Sequence, residues 1–185
     1  MNLKYTFKGQ IISVLLTHLK AAVIFFFVWI IAIAVTSSGV GGIIYSVISA
    51  IFYFMMMYSA GYETFRSDRK SYSQLTPFWY KGLILSTGVI VLNALILTIY
   101  KLSWIFGSDG TSVTSVWSFI GNFLGLFWFS PYLNLLGMAS GNIKIYGYAI
   151  IFLLHTLACF LGYFAGYKNY DISAKLRAFM YEKKK

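Results

Sequence analysis

No Asp or Glu falls inside any long apolar run of this sequence, and only five occur among its 185 residues. Ion-coupled pumps and transporters commonly place carboxylates at membrane depth to carry protons or hold cations. Coupling to protons or sodium within this chain is therefore not expected. Cysteine is scarcer still. Cys159 stands alone in an apolar run, which excludes an intramolecular disulfide and fits a buried thiol. There is no Asn-x-Ser/Thr sequon, so glycosylation says nothing about which side is outside. There is no Gly-x-Ser-x-Gly elbow, and His18 and His155 have no carboxylate close in sequence, which sets a serine nucleophile aside. No His or carboxylate lies at ligand spacing beside His155, so neither a metal nor another cofactor is expected. Charge of any kind is thin, at 11% of residues against about 25% in a soluble domain.

Apolar residues fill the space, at 59% of the chain. A soluble protein of this size needs a largely polar exterior and could not hide them. Lipid removes that demand. The net charge of +10 is not gathered on one water-facing surface, as nucleic-acid binding requires, but is cut into pieces by membrane-length apolar runs. No nucleic-acid partner is expected. Thirteen of the fifteen Lys and Arg residues fall in three patches: Lys4, Lys8 and Lys20; Arg66, Arg69, Lys70 and Lys81; and Lys168, Lys175, Arg177 and Lys183 to Lys185. Only Lys101 and Lys144 lie elsewhere. This is the positive-inside pattern of a multi-pass protein of the plasma or inner membrane, and the patches also suit anionic lipid headgroups.

A helix needs about 20 apolar residues to cross the hydrocarbon. Four runs qualify, over about residues 14–35, 40–61, 83–104 and 145–166. None alternates as barrel strands do, so the expected fold is an all-α transmembrane bundle. The first run, with Lys20 in it, is too long for the core of a signal peptide and reads as an uncleaved span. Segment 116–136 is also apolar enough to cross, but a fifth span would put the basic C-terminal tail outside. Its stripe of Ser115, Ser118, Asn122 and Gly125, followed by Ser130-Pro131, points instead to an interfacial or re-entrant helix on the outer face. The whole chain is one membrane domain with a cytoplasmic loop at 62–81 and a cytoplasmic tail at 167–185. Within that tail, residues 171–185 suggest an amphipathic interfacial helix.

The chain also echoes itself. Phe7-Lys8-Gly9-Gln10 resembles Tyr80-Lys81-Gly82-Leu83, and Ala60-Gly61-Tyr62 resembles Ala165-Gly166-Tyr167. Two parallel helical hairpins would give this pattern. So would convergence, since Lys and Tyr both suit the membrane–water boundary at helix ends.

The polar residues expected at membrane depth are Asn93 and His155. Ala158, Gly162 and Gly166 follow His155 at helical spacing and mark a close-packing face, on which the histidine would bond Asn93 or a backbone carbonyl. Gly121-x-x-x-Gly125 and Gly137-x-x-x-Gly141 are weaker signals of the same kind. Arg66, Arg69, Lys70, Lys175 and Arg177 are candidates for headgroup contact or partner docking. The expected role is an accessory or anchoring subunit of a transport or export complex, without catalytic activity of its own. A small oligomeric transporter or channel, with Asn93 and His155 lining a path, is the main alternative. A membrane-embedded lipid-modifying enzyme is disfavoured, because the acid/base groups it needs are missing.

Overall fold

The computed structural model describes residues 6–31, 39–70, 73, 75–106, 112–136, 143 and 145–170. All regular structure among them is helical: α1 (Phe7–Ile31), α2 (Gly39–Asp68), α3 (Lys81–Leu85), α4 (Thr87–Phe106), α5 (Ser112–Trp128), a 3-10 turn (Ser130–Tyr132), α6 (Leu133–Leu136) and α7 (Ile145–Tyr167). Four stretches are long and apolar enough to cross a membrane: Phe7–Ile31, Val40–Asp68, Lys81–Ile105 and Tyr146–Tyr167. Large apolar side chains face outward along them, Ile31 and Val40 being 83% and 73% exposed. A water-soluble bundle would turn such residues inward; here the polar side chains are the buried ones.

Local chemistry fixes the helix ends. Thr6 caps α1, its Oγ1 accepting from the Gly9 amide at 3.1 Å. Asn169 closes α7 at a left-handed φ of 55°. Its amide donates to the Gly166 carbonyl at 2.9 Å and the Tyr170 amide to the Ala165 carbonyl at 2.7 Å, the paired bonds of a Schellman cap. The third span breaks briefly between α3 and α4. There Ser86 Oγ donates to the Leu83 carbonyl and Thr87 Oγ1 to the Ile84 carbonyl, both at 2.7 Å. Hydroxyls that tap the helix ladder in this way commonly bend it.

Contacts between helices give the topology. α1 and α2 run antiparallel, with the Tyr45 hydroxyl donating to the Phe25 carbonyl at 2.7 Å and Gln10 reaching Asp68 at the other end. The third span runs antiparallel to α7: Gly82 lies on Phe160, Ser86 meets Thr156 and Asn93 reaches Ile151. α2 and α7 are parallel, Gly162 lying on the Tyr58 carbonyl and Gly166 on the Phe65 ring. The four long helices thus alternate in direction.

α5 runs only part of the way along this bundle. It packs antiparallel on α4, with Gly121 against Ser103, and ends where Trp128 bonds Asn93, midway along the third span. Its 17 residues reach about 25 Å, short of the roughly 30 Å of hydrocarbon. The 3-10 turn with Pro131 then lies in the bundle, Ser130 Oγ donating to the Ala22 carbonyl at 2.8 Å. α6 leads away, Leu136 packing on Gly147 near the start of α7. The segment forms a hairpin whose tip is at mid-bundle.

Several boundaries differ from the sequence reading. α1 begins at Phe7 rather than near residue 14, because the capped turn at Thr6 carries Gln10 into the core. α2 continues seven residues past the expected end at 61, so about a third of the expected loop at 62–81 is part of that helix. Asp68 explains the extension, since its buried partners hold that last turn in the bundle. Gly137, Gly141, Lys144 and the tail with Lys175 and Arg177 lie outside the described residues.

Candidate functional site

Two buried polar clusters thread the bundle, one at the end that carries Asp68 and one in the middle. The first is an ion pair. Lys81 Nζ lies 2.7 Å from Asp68 Oδ2, with the two side chains 1% and 0% exposed. Two neutral donors complete the carboxylate's shell: Gln10 Nε2 at 2.7 Å to Oδ1 and the Tyr163 hydroxyl at 2.6 Å to Oδ2. The ammonium is walled by aromatic faces, with Phe7 and Phe78 centroids at 5.9 Å and Tyr163 at 6.0 Å. A buried charge is tolerable only when paired and hydrogen-bonded, and both conditions hold. One carboxylate thereby joins all four long helices: α1 through Gln10, α2 through itself, the third span through Lys81 and α7 through Tyr163.

The second cluster gathers polar and aromatic side chains from near the middle of each helix. Asn93 of α4 donates from Nδ2 to the Ile151 carbonyl at 2.6 Å and accepts from Trp128 Nε1 at 2.7 Å. It therefore clamps the hairpin tip to α4 and α7. His18 Nδ1 of α1 lies 2.6 Å from the Tyr53 hydroxyl of α2, in a hydrogen bond whose direction follows the imidazole tautomer. The His18 ring also packs on Trp128, centroids 4.4 Å apart, and faces His155 of α7 at 6.5 Å. Tyr132 of the 3-10 turn stands edge-on to Tyr53 at 5.7 Å.

Of the residues singled out from sequence, Asn93 and His155 are both fully buried, but they do not bond each other. Trp128 and the Ile151 carbonyl take the amide instead, and neither ring nitrogen of His155 has a partner among the described residues. Ala158, Gly162 and Gly166 are buried, and a Cβ on either glycine would strike α2: the Tyr58 carbonyl for Gly162 and the Phe65 ring for Gly166. Gly121 and Gly125 are buried on the hairpin. Arg66, Arg69 and Lys70 are exposed beside the first cluster, and Arg69 Nη1 donates to Asn169 Oδ1 at 2.5 Å.

Sequence reasoning missed Asp68, Lys81, Gln10 and Tyr163 as a unit, and His18, Tyr53, Trp128 and Tyr132 as another. A signal for the first existed: Lys81 sits one turn from an apolar run in an aromatic setting, and Asp68 is the acid of a basic stretch. Nothing local pairs His18 with Tyr53, 35 residues away. Comparison with protein-family models, with curated proteins and with solved structures finds no match.

The surface adds two concavities beside α2 and α7. A shallow one of about 390 Å³ is lined by Tyr62, Phe65, Arg66, Arg69, Gly166 and Asn169. An apolar groove of about 690 Å³ runs along Phe54, Met55, Tyr58, Leu161 and Phe164, with Lys168 at its end.

Proposed function

We propose that this chain is a multi-pass protein of the plasma or inner membrane, without catalytic activity of its own. In this reading it serves as an accessory or anchoring subunit of a membrane transport or export complex. The carrying observation is the groove of α2 and α7, an apolar channel on the membrane-facing surface that ends at Lys168, beside exposed Arg66 and Arg69. A transmembrane helix of a partner would lay apolar side chains along Phe54, Leu161 and Phe164, and its acidic juxtamembrane residues or anionic headgroups would meet the cations. Both termini and residues 69–80 lie on the cytoplasmic side, because that arrangement keeps twelve basic residues inside and two outside, with Lys20 within the first span. Segment 112–136 is then a re-entrant hairpin entering from the outer face. Irregular backbone at such depth is tolerated where protein covers it, as at buried Ser130, Pro131 and Tyr132.

The test is purification in mild detergent, with the mass of the native assembly measured. A chain present in fixed stoichiometry is expected, and it should be lost from the groove-filling variant Leu161→Trp while the variant's thermal stability is kept. A lone homo-oligomer, unaffected by Leu161→Trp, would remove this reading. It would favour a small oligomeric transporter or channel, for which the specific support is His155, at mid-bundle and without a hydrogen-bond partner among the described residues.

A further inference from the structure

Four hydrogen-bonding atoms in the middle of the bundle have no partner among the described residues: His18 Nε2, His155 Nδ1, His155 Nε2 and the Tyr132 hydroxyl. All three side chains are 0% exposed. They come from α1, α7 and the 3-10 turn at the hairpin tip: the His18 and His155 rings face each other, and the Tyr53 ring meets both His18 and Tyr132. A buried polar atom left unsatisfied costs on the order of 1–3 kcal/mol in proteins and more in a medium that cannot hydrogen-bond. Buried polar side chains therefore nearly always have a partner, and where protein does not supply it an ordered water does. Asn93, Trp128 and Ser130 close by each have a protein partner, so the unmet demand in the middle of the bundle falls on these three side chains.

We propose that His18, Tyr132 and His155 line an internal water site, in which ordered water bridges the two imidazoles and the tyrosine hydroxyl. The spacing of the two imidazoles suits it. A water making two hydrogen bonds of about 2.8 Å joins atoms up to roughly 5.6 Å apart, a span that rings 6.5 Å apart by centroid permit. The locus also offers a mixed set of donors and acceptors, since each neutral imidazole has one of each and the phenol can act as either. A metal ion fits less well. It would draw two imidazole nitrogens to within about 4.2 Å and want further ligands, and no cluster of three His, Cys, Asp or Glu side chains exists among the described residues. The water ties the hairpin tip to α1 and α7, where Trp128 and Ser130 tie it to α4 and α1. This site is independent of the subunit role proposed above.

The chain has two histidines in all, so histidine labelled with 15N reports on this site alone. With the full-length protein in lipid bilayers, water-edited solid-state NMR should transfer magnetisation from water to the ring nitrogens of both residues. The backbone amide nitrogens of the same two residues, inside helices, should stay dark at the same mixing time. Dark ring nitrogens in either residue would overturn the proposal. So would a shift of both rings on adding Zn²⁺ with loss of the water transfer, which would make the locus a metal site. His155→Leu gives a second reading from similar volume. A hydrated site predicts a lower melting temperature and weaker transfer to His18, whereas a dry, unsatisfied site predicts a higher melting temperature.

Discussion

Asp68 carries more of the architecture than any other side chain, because three bonds from three other helices converge on its two oxygens. Removing one partner of a buried ion pair leaves the other charge uncompensated, at a cost of roughly 3–5 kcal/mol, whereas exchanging both for apolar groups of similar size is often neutral. Asp68→Asn should therefore lower the melting temperature sharply in detergent, and Lys81→Met should do the same. The double variant Asp68→Leu/Lys81→Met should recover much of the loss. A double variant as unstable as the singles would show that Gln10 and Tyr163, left without their acceptor, matter more than the pair. Asn93 is the corresponding residue at mid-bundle, with smaller stakes. Hydrogen bonds between membrane helices average about 0.6 kcal/mol, so Asn93→Leu, which forfeits two of them, should cost about 1–2 kcal/mol in the same melting experiment.

Between elements, the parallel contact of α2 with α7 depends on side chains that are missing. Gly61 lies on the backbone of Cys159 and Gly162 on that of Tyr58, so each helix lends the other a smooth surface. Gly162→Leu should separate the two backbones and cost about 1–3 kcal/mol by overpacking. Leu161→Ile, on a side chain 43% exposed, should be nearly silent. Equal tolerance of both in thermal unfolding would contradict this interface. The four long helices were legible because their apolar runs match bilayer thickness, and the Ala158, Gly162, Gly166 face because its spacing is helical. The seven added residues of α2 were not legible. Glu63, Arg66 and Asp68 look like solvated loop charge until Lys81, 13 residues on, is seen to bury with Asp68. The hairpin was legible only in part: Ser130-Pro131 marked its turn, but Trp128 meets Asn93 and Ser130 meets Ala22 across 35 and 108 residues, distances at which no local pattern operates.

At the scale of the whole molecule, two polar clusters hold an apolar bundle together, and the proposed orientation in the membrane rests on charge. Four crossings with a hairpin that returns to its own side put both ends of the chain and residues 69–80 together. Five crossings would separate them. Impermeant thiol labelling in intact cells decides between these. In a Cys159→Ser background, single cysteines replace Thr76, exposed beyond the end of α2, Ser173 in the tail, and Ser38 and Ser108 between long helices. Cysteines at Thr76 and Ser173 should both be shielded until the cells are opened, and those at Ser38 and Ser108 should react at once. Labelling at Ser173 with protection at Thr76 would contradict the account, because the hairpin would then have to cross the membrane.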